Sequence, residues 1–573
     1  MQQRRIFQFP LRAVVAGLLA SLVVSSCSAL AAHPEPLLSA TIAPLPHTPA
    51  PTPTPTLTPT LSPTLAPTPI PNNLWIDLSG VSAHPDGALY SGDVLSFRIE
   101  AHNGGDTDLS RVPLIVDWGS GHATGEIPYL PRGGSGATDL TWVWDTGSLV
   151  GTQTITVTLD PDNTTGDPDP GNNVAVASVD LRAGRPAGEI DAQWQTITSA
   201  CCEYHFVTHT AAARDITRIT RTADDAIALV ERRLGIEQKN RLTIYLIDRV
   251  LGHGGFASGQ IVISYLDRNY AGGELEAVFR HEGTHILDQQ VAKGERPSLL
   301  VEGFAVYVAG GHFKIEPLPE RAASLLSMGA YIPLRDLANN FYPSQHETGY
   351  LEAGAFIDYL IERDGYDRFV ELYGGMQREP GERDAALIDR EMQAVYGIGL
   401  DAMQAEWQAH LRTLDAGDQR RDVAETIAFY DTLRRYQRAL DPFAHFQNAW
   451  MPDIREAEER GRVADYVRHP RAPENVALET MLVAADEALL ARDYDRVETL
   501  LQSVNAVLDA NGVFTDPIAA QYLGVVRAAL AAGYEPQRIT VEGARAEVWA
   551  TQSGGAALVR LDGSLQDGAW SVQ

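Results

Sequence analysis

Thirteen of the chain's 34 prolines fall within the 38 residues from Pro34 to Pro71, together with nine threonines and a single charge. Proline fixes φ and lacks an N–H, so repeats such as Pro51-Thr52-Pro53-Thr54-Pro55 can join neither a helix nor a β-ladder. Such a tract is a semi-rigid spacer at about 3 Å per residue, with a reach on the order of 100 Å. It separates a short N-terminal segment from everything that can fold. In that segment Arg4, Arg5 and Arg12 accompany twelve apolar or small residues, Ala13 to Val24. A membrane-spanning helix needs about 20 such residues, so residues 1–26 read as an export signal.

The signal ends Val24-Ser25-Ser26-Cys27, which resembles the lipobox of bacterial lipoproteins. That resemblance implies a lipid on Cys27, which anchors a chain without spanning the bilayer. It places the protein on the outer face of the cytoplasmic membrane or the cell surface, with residues 27–72 as a stalk. The other two cysteines, Cys201 and Cys202, are adjacent; a vicinal disulfide and two free thiols both fit. A disulfide-stapled miniprotein is excluded. At roughly 150 residues per domain, 573 residues predict three or four domains. With 45 basic and 74 acidic residues the net charge is −29, which excludes a nucleic-acid partner because little could neutralise a phosphate backbone.

Residues 73–184 alternate with period two. Leu95, Phe97, Ile99 and Ala101 form one run, Val112, Leu114, Val116 and Trp118 another. Leu140, Trp142 and Trp144, then Ile155, Val157 and Leu159, continue the pattern. Short alternating strands parted by Gly- and Asn-rich turns predict an antiparallel β-sandwich. The turn Asp167-Pro168-Asp169-Pro170-Gly171-Asn172-Asn173, leading into Val174-Ala175-Val176, resembles the cell-adhesion-related (CARDB-like) immunoglobulin-type domains. The resemblance implies a spacer or a contact with surface proteins or cell wall. Asp162, Asp167 and Asp169 offer the hard oxygens that Ca²⁺ takes, and are equally what turns are made of.

Residues 190–415 carry the chemistry. Tyr204 to Thr208 reads as a strand and Arg214 to Leu234 as an amphipathic helix with Ile216, Ile219, Ala223, Ile227, Val230 and Leu234 on one face. An apolar strand, Leu242 to Ile247, precedes the Gly-rich loop Gly252 to Gly259. Gln260 to Leu266 then reads as a further strand, either internal or the edge on which an extended peptide adds. The next helix, Glu274 to Gln290, holds His281-Glu282-Gly283-Thr284-His285. On a helix, positions i and i+4 share a face, so both imidazoles can bind one Zn²⁺ while the intervening Glu takes a proton from a water the metal activates. Seventeen residues beyond His285, Glu302 opens a second helical segment and can supply a third, carboxylate ligand.

With Glu302-Gly303-x-Ala305-x-Tyr307 and Tyr350-x-x-x-Gly354-x-Phe356-x-x-Tyr359-Leu360, this segment resembles the gluzincin, peptidase-MA-like metallopeptidases. The resemblance implies one zinc held by His281, His285 and Glu302, with Glu282 as the base in peptide-bond hydrolysis, as an endopeptidase or an aminopeptidase-like enzyme. It also implies an antiparallel lobe and a helical lobe about a cleft, with a donor side chain for the oxyanion. Tyr350 and His346 are the candidates. Some gluzincins have an Asp four residues after the glutamate ligand to orient the first histidine; here that position is Val306.

Residues 416–573 read as an accessory region: helices over Ala424 to Leu440 and Asn475 to Leu508, the second broken near Arg492-Asp493-Tyr494, then a small terminal β-hairpin from Ile539. The expected fold is therefore multidomain: an all-β sandwich, an α+β zincin-like (thermolysin-like) domain and a mostly helical C-terminal region. The expected function is a surface-anchored zinc peptidase acting on peptides or proteins. The rival is an inactive adhesion or envelope-binding lipoprotein that keeps the zincin fold as scaffold.

Overall fold

The computed structural model describes residues 71–573, except 253, 313, 447, 448 and 553. The expected export signal, Cys27 and the expected stalk up to residue 70 lie outside the described residues. The chain divides into two compact units. One holds the chain up to Ser82 with 98–140 and 155–177; the other holds 83–97, 141–154 and 178–573.

Nine strands make the N-terminal sandwich: β1 (Leu74–Trp75), β2 (Val81–His84), β3 (Leu89–Tyr90), β4 (Val94–Asn103), β5 (Leu109–Asp117), β6 (His122–Leu130), β7 (Gly134–Asp145), β8 (Gly151–Leu159) and β9 (Val174–Arg182). They form two sheets, β1-β4-β2 with β7 on β4, and β3-β9-β8-β5-β6. In the first unit the alternation does what it predicts, burying Ile99, Ala101, Val112, Leu114, Val116, Ile155, Val157 and Leu159. In the second, Trp142 departs from it. Its φ of 48° takes it off the face of Leu140 and Trp144, and its indole donates to Asp465 at 3.1 Å. The acidic turn is built from its own carboxylates. Asp160 accepts from the N–H and hydroxyl of both Thr164 and Thr165, and Asp167 from the N–H of Leu74 and Asp169.

The second unit contains a mixed sheet of β10 (Trp194–Thr198), β11 (Cys202–Val207), β12 (Leu242–Ile247), β13 (Gly255–Ala257) and β14 (Ile261–Ser264), in the order β10-β11-β12-β14-β13. The antiparallel lobe that the resemblance implies is antiparallel only at its flanks. β11–β12 and β12–β14 are parallel, because α1 (Ala211–Leu234) carries the chain back between the first pair. Thr210 caps α1 by accepting from the Ala213 N–H, and Gly235 ends it in the left-handed region. The strand expected over Gln260 to Leu266 is internal: β14 is covered by β13, which arises within the Gly-rich loop and is the edge. Cys201 and Cys202 are joined as a disulfide.

Helices α2 (Leu275–Leu287), α3 (Ser298–Ala309), α4 (Leu318–Met328), α5 (Leu334–Asn339), α6 (His346–Asp364), α7 (Tyr366–Gly375), α8 (Asp384–Tyr396) and α9 (Leu400–Leu411) pack with this sheet around one core. That core does not stop at residue 415. It includes Val423 of α10 (Gln419–Leu440), while Phe429, Tyr430 and Leu433 of the same helix belong to a second core with residues such as Val476, Val504 and Val526. Beyond α10 come α11 (Ile454–Glu459), α12 (Ala464–Val467), α13 (Pro473–Leu490), α14 (Tyr494–Asp509) and α15 (Pro517–Ala531). The break between α13 and α14 falls where the sequence puts it, at Arg492, φ 59°. The expected terminal hairpin is instead a four-stranded antiparallel sheet, β15 (Tyr534–Glu542), β16 (Arg545–Gln552), β17 (Leu558–Gln566) and β18 (Ala569–Val572). The last strand brings the Trp570 ring onto α15 at Gly524, where a Cβ would stand 2.6 Å from Cδ1. Among the described residues, no helix is long and apolar enough to cross a membrane.

Candidate metal centre

Helix α2 lies on α1 through Gly283, whose absent Cβ would meet Ile227 Cδ1 at 2.4 Å. Burying Gly283 on that side turns His281 and His285, on the opposite face, toward α3. Helix α3 crosses α6 just as closely. A Cβ on Gly303 would stand 2.6 Å from the Ala353 carbonyl oxygen, and one on Gly354 2.3 Å from Val306 Cγ1. Two glycines, one on each helix, therefore set the depth at which Glu302 sits.

The outcome is a convergence of three donors. His281 Nε2 lies 3.1 Å from His285 Nε2 and 3.3 Å from Glu302 Oε2, and His285 Nε2 lies 3.4 Å from the same oxygen. A tetrahedral Zn²⁺ with bonds near 2.0–2.1 Å spaces its ligand atoms about 3.3 Å apart, so the set fits that ion in both chemistry and spacing. His281, Glu282 and Glu302 are buried and His285 is half-buried. Burial lowers the His281 pKa. For His285 burial acts the same way, but the Glu302 carboxylate outweighs it and raises the pKa to about 9. Glu302 is held well below the usual carboxylate range, its burial overcome by His285 and His281. Glu282 goes the other way: burial pushes it up against the two histidines.

Val306 has a structural reason to be there. It fills the space against Gly354 with its side chain fully buried. His281 Nδ1 is correspondingly buried with no hydrogen-bond partner among the described residues. The supporting hydrogen bond falls on the glutamate instead: the Tyr342 hydroxyl donates to Glu302 Oε1 at 2.8 Å.

Of the two donor candidates, Tyr350 stands beside the three converging donors, its ring centroid 6.1 Å from that of His281. His346, the first residue of α6, lies against Tyr350 at 4.6 Å and Phe446 at 5.8 Å. Tyr342, which donates to Glu302, and His312, which stacks on Tyr350 and bonds Glu347, also belong to this neighbourhood, and the sequence does not mark them. Neither has a fixed spacing from the histidine motif. The one available signal was a third histidine, His312, just past the end of α3. Arg434 donates to the Gly252 carbonyl and lies over the Phe446 ring, which brings the C-terminal region to the Gly-rich loop.

No protein-family model and no curated protein matches the chain. Solved structures similar to parts of it include CARDB domains and M1 zinc metallopeptidases. The CARDB domain of a Pyrococcus furiosus protein is 17% identical over 20% of this chain and 96% of that one, with a TM-score of 0.17. An M1 zinc metallopeptidase from Deinococcus radiodurans is 14% identical over 60% of this chain and 95% of that one, with a TM-score of 0.23. An aminopeptidase N family protein from Idiomarina loihiensis is 9% identical over 59% of this chain and 70% of that one, with a TM-score of 0.23.

Proposed function

We propose that the chain is a zinc-dependent peptidase, exported and held at the cell surface by a lipid on Cys27. The observation that carries the catalytic reading is the three-donor convergence of His281, His285 and Glu302, with the Glu282 carboxyl buried beside it. Bound zinc supplies Lewis acidity, polarising a scissile carbonyl and lowering the pKa of water. The chain's own groups do the rest. Glu282, its pKa raised by burial, accepts the proton of the attacking water and passes it to the leaving amine as the C–N bond breaks. The Tyr350 hydroxyl, kept protonated because burial lifts its pKa well above 10, donates to the developing oxyanion. Tyr342 holds Glu302 Oε1 so that Oε2 stays on the histidine side.

The test uses the full folded chain and its Glu282→Gln variant. Both are expected to bind one zinc, and only the first to cleave casein or a peptide library. Zinc-free protein, or cleavage unchanged by the substitution, would leave the adhesion or envelope-binding reading standing.

A further inference from the structure

Past the end of α3, His312 turns back over the N-terminal turn of α6. Its ring lies parallel to that of Tyr350, centroids 4.2 Å apart and planes 9° apart. Its Nδ1 donates to Glu347 Oε2 at 2.9 Å. Glu347 and Tyr350 are three residues apart on α6, so both project from one face of the helix, and His312 bridges them. The clamp is itself anchored. Glu347 Oε1 lies 3.6 Å from the Arg321 guanidinium, which also pairs with Glu316 at 2.7 Å and with Asp422. All of these side chains are buried. On its other sides the Tyr350 ring meets Phe341 edge-on at 5.0 Å and His346 at 4.6 Å. Burying a carboxylate–imidazole contact against a tyrosine ring is costly unless that contact orients the ring; the His346 and His281 rings also lie near His312, at 5.0 and 6.3 Å.

We infer that His312, clamped by Glu347, is a positioning residue that fixes the plane of the Tyr350 ring so that its hydroxyl faces the metal centre. The inference rests on the reading of Tyr350 as oxyanion donor. It makes His312 a determinant of rate that acts through Tyr350.

Steady-state cleavage by the zinc-loaded full chain tests this in a double-mutant cycle. Tyr350→Phe is expected to lower kcat on the order of 10²-fold, the usual effect of losing one oxyanion donor. His312→Gln removes the flat ring but keeps an amide for Glu347, and is expected to lower kcat about tenfold with KM and zinc content unchanged. In the Tyr350→Phe background His312→Gln should lower kcat no further. Glu347→Gln, which can still bond Nδ1, should hold kcat within about threefold, whereas Glu347→Ala should match His312→Gln. Losses that multiply in the double variant, or a rise in KM at constant kcat, would overturn the positioning role alone. Full kcat in Tyr350→Phe would overturn the oxyanion reading and this inference with it.

Discussion

The Tyr342 hydroxyl donates to Glu302 Oε1 at 2.8 Å, while Oε2 of the same carboxylate faces both histidines. A carboxylate that offers one oxygen to a metal is held in that orientation by whatever binds the other. Because His281 Nδ1 has no such support among the described residues, Tyr342 carries more of this task than it would in a doubly supported site. Tyr342→Phe is therefore expected to weaken zinc binding about 10- to 100-fold, with little change in fold. Competition against a chelator of known affinity measures the loss. An unchanged affinity would show that Glu302 is held by its helix alone.

The metal-free site should trade protons for zinc. His285 has its pKa raised to about 9 by Glu302 despite burial, so it is protonated at pH 7 and must lose that proton to bind a metal. Zinc uptake is expected to release about one proton per ion at pH 7, with apparent affinity rising on the order of tenfold per pH unit below 9. Calorimetry in buffers of different ionisation enthalpy reads the proton count directly. The same shift has a stability sign. A histidine whose folded pKa exceeds the unfolded value of 6.5 stabilises the metal-free protein fully below 6.5. That contribution disappears as the pH rises through 9.

The contact between α3 and α6 should be intolerant of even a methyl group, but unequally on the two helices. Gly354→Ala places a Cβ against Val306 Cγ1, a side chain that can be shortened. It is expected to cost about 1–3 kcal/mol, and Val306→Ala in the same chain should recover part of that, since Val306 Cβ itself would stand 2.9 Å from the new methyl. Gly303→Ala meets the Ala353 carbonyl, and no side-chain change can relieve a clash with backbone. Denaturant unfolding of the three variants checks both halves, and zinc content reports whether Glu302 has moved.

The reach of sequence reading can be seen in which residues it found. His281 and His285 are four residues apart on one helix, so spacing alone predicts their common face; Glu302, on a second helix, was legible from its place downstream and from the resemblance. The sandwich strands were legible from spacing too, until Trp142, where a left-handed φ breaks the period that a linear pattern assumes. Tyr342, His312 and Glu347 act across contacts between loops and helices distant in sequence, and no period encodes that. The sequence leaves Gln260 to Leu266 open as internal or edge because the true edge, Gly255 to Ala257, is three residues, too few to show alternation inside a glycine-rich loop.

The apparent accessory region beyond residue 415 is expected to be indispensable, and Asp422 is the reason. This α10 carboxylate pairs with Arg321, accepts from Lys314 Nζ at 3.0 Å and from the Tyr494 hydroxyl at 3.2 Å, and is itself buried. Arg321 is fully buried, so removing Asp422 leaves a cation with Glu316 and Glu347 but without its closest counter-charge. Breaking such a pair from one side costs about 3–5 kcal/mol, which is the expected destabilisation of Asp422→Asn in thermal or denaturant unfolding. Burial raises the Asp422 pKa, but Arg321 and Lys314 outweigh it and hold the value below 3.8. The aspartate's contribution is therefore present above its unfolded pKa and lost only as the pH falls through the folded one. The wild-type advantage over Asp422→Asn should be flat from about pH 5 to 8 and narrow below about 4. A chain ended after residue 415 loses Asp422 and the core residue Val423 together. It is expected to show no cooperative unfolding and no stoichiometric zinc, and a truncated chain that folds and binds zinc would show α10 to be dispensable.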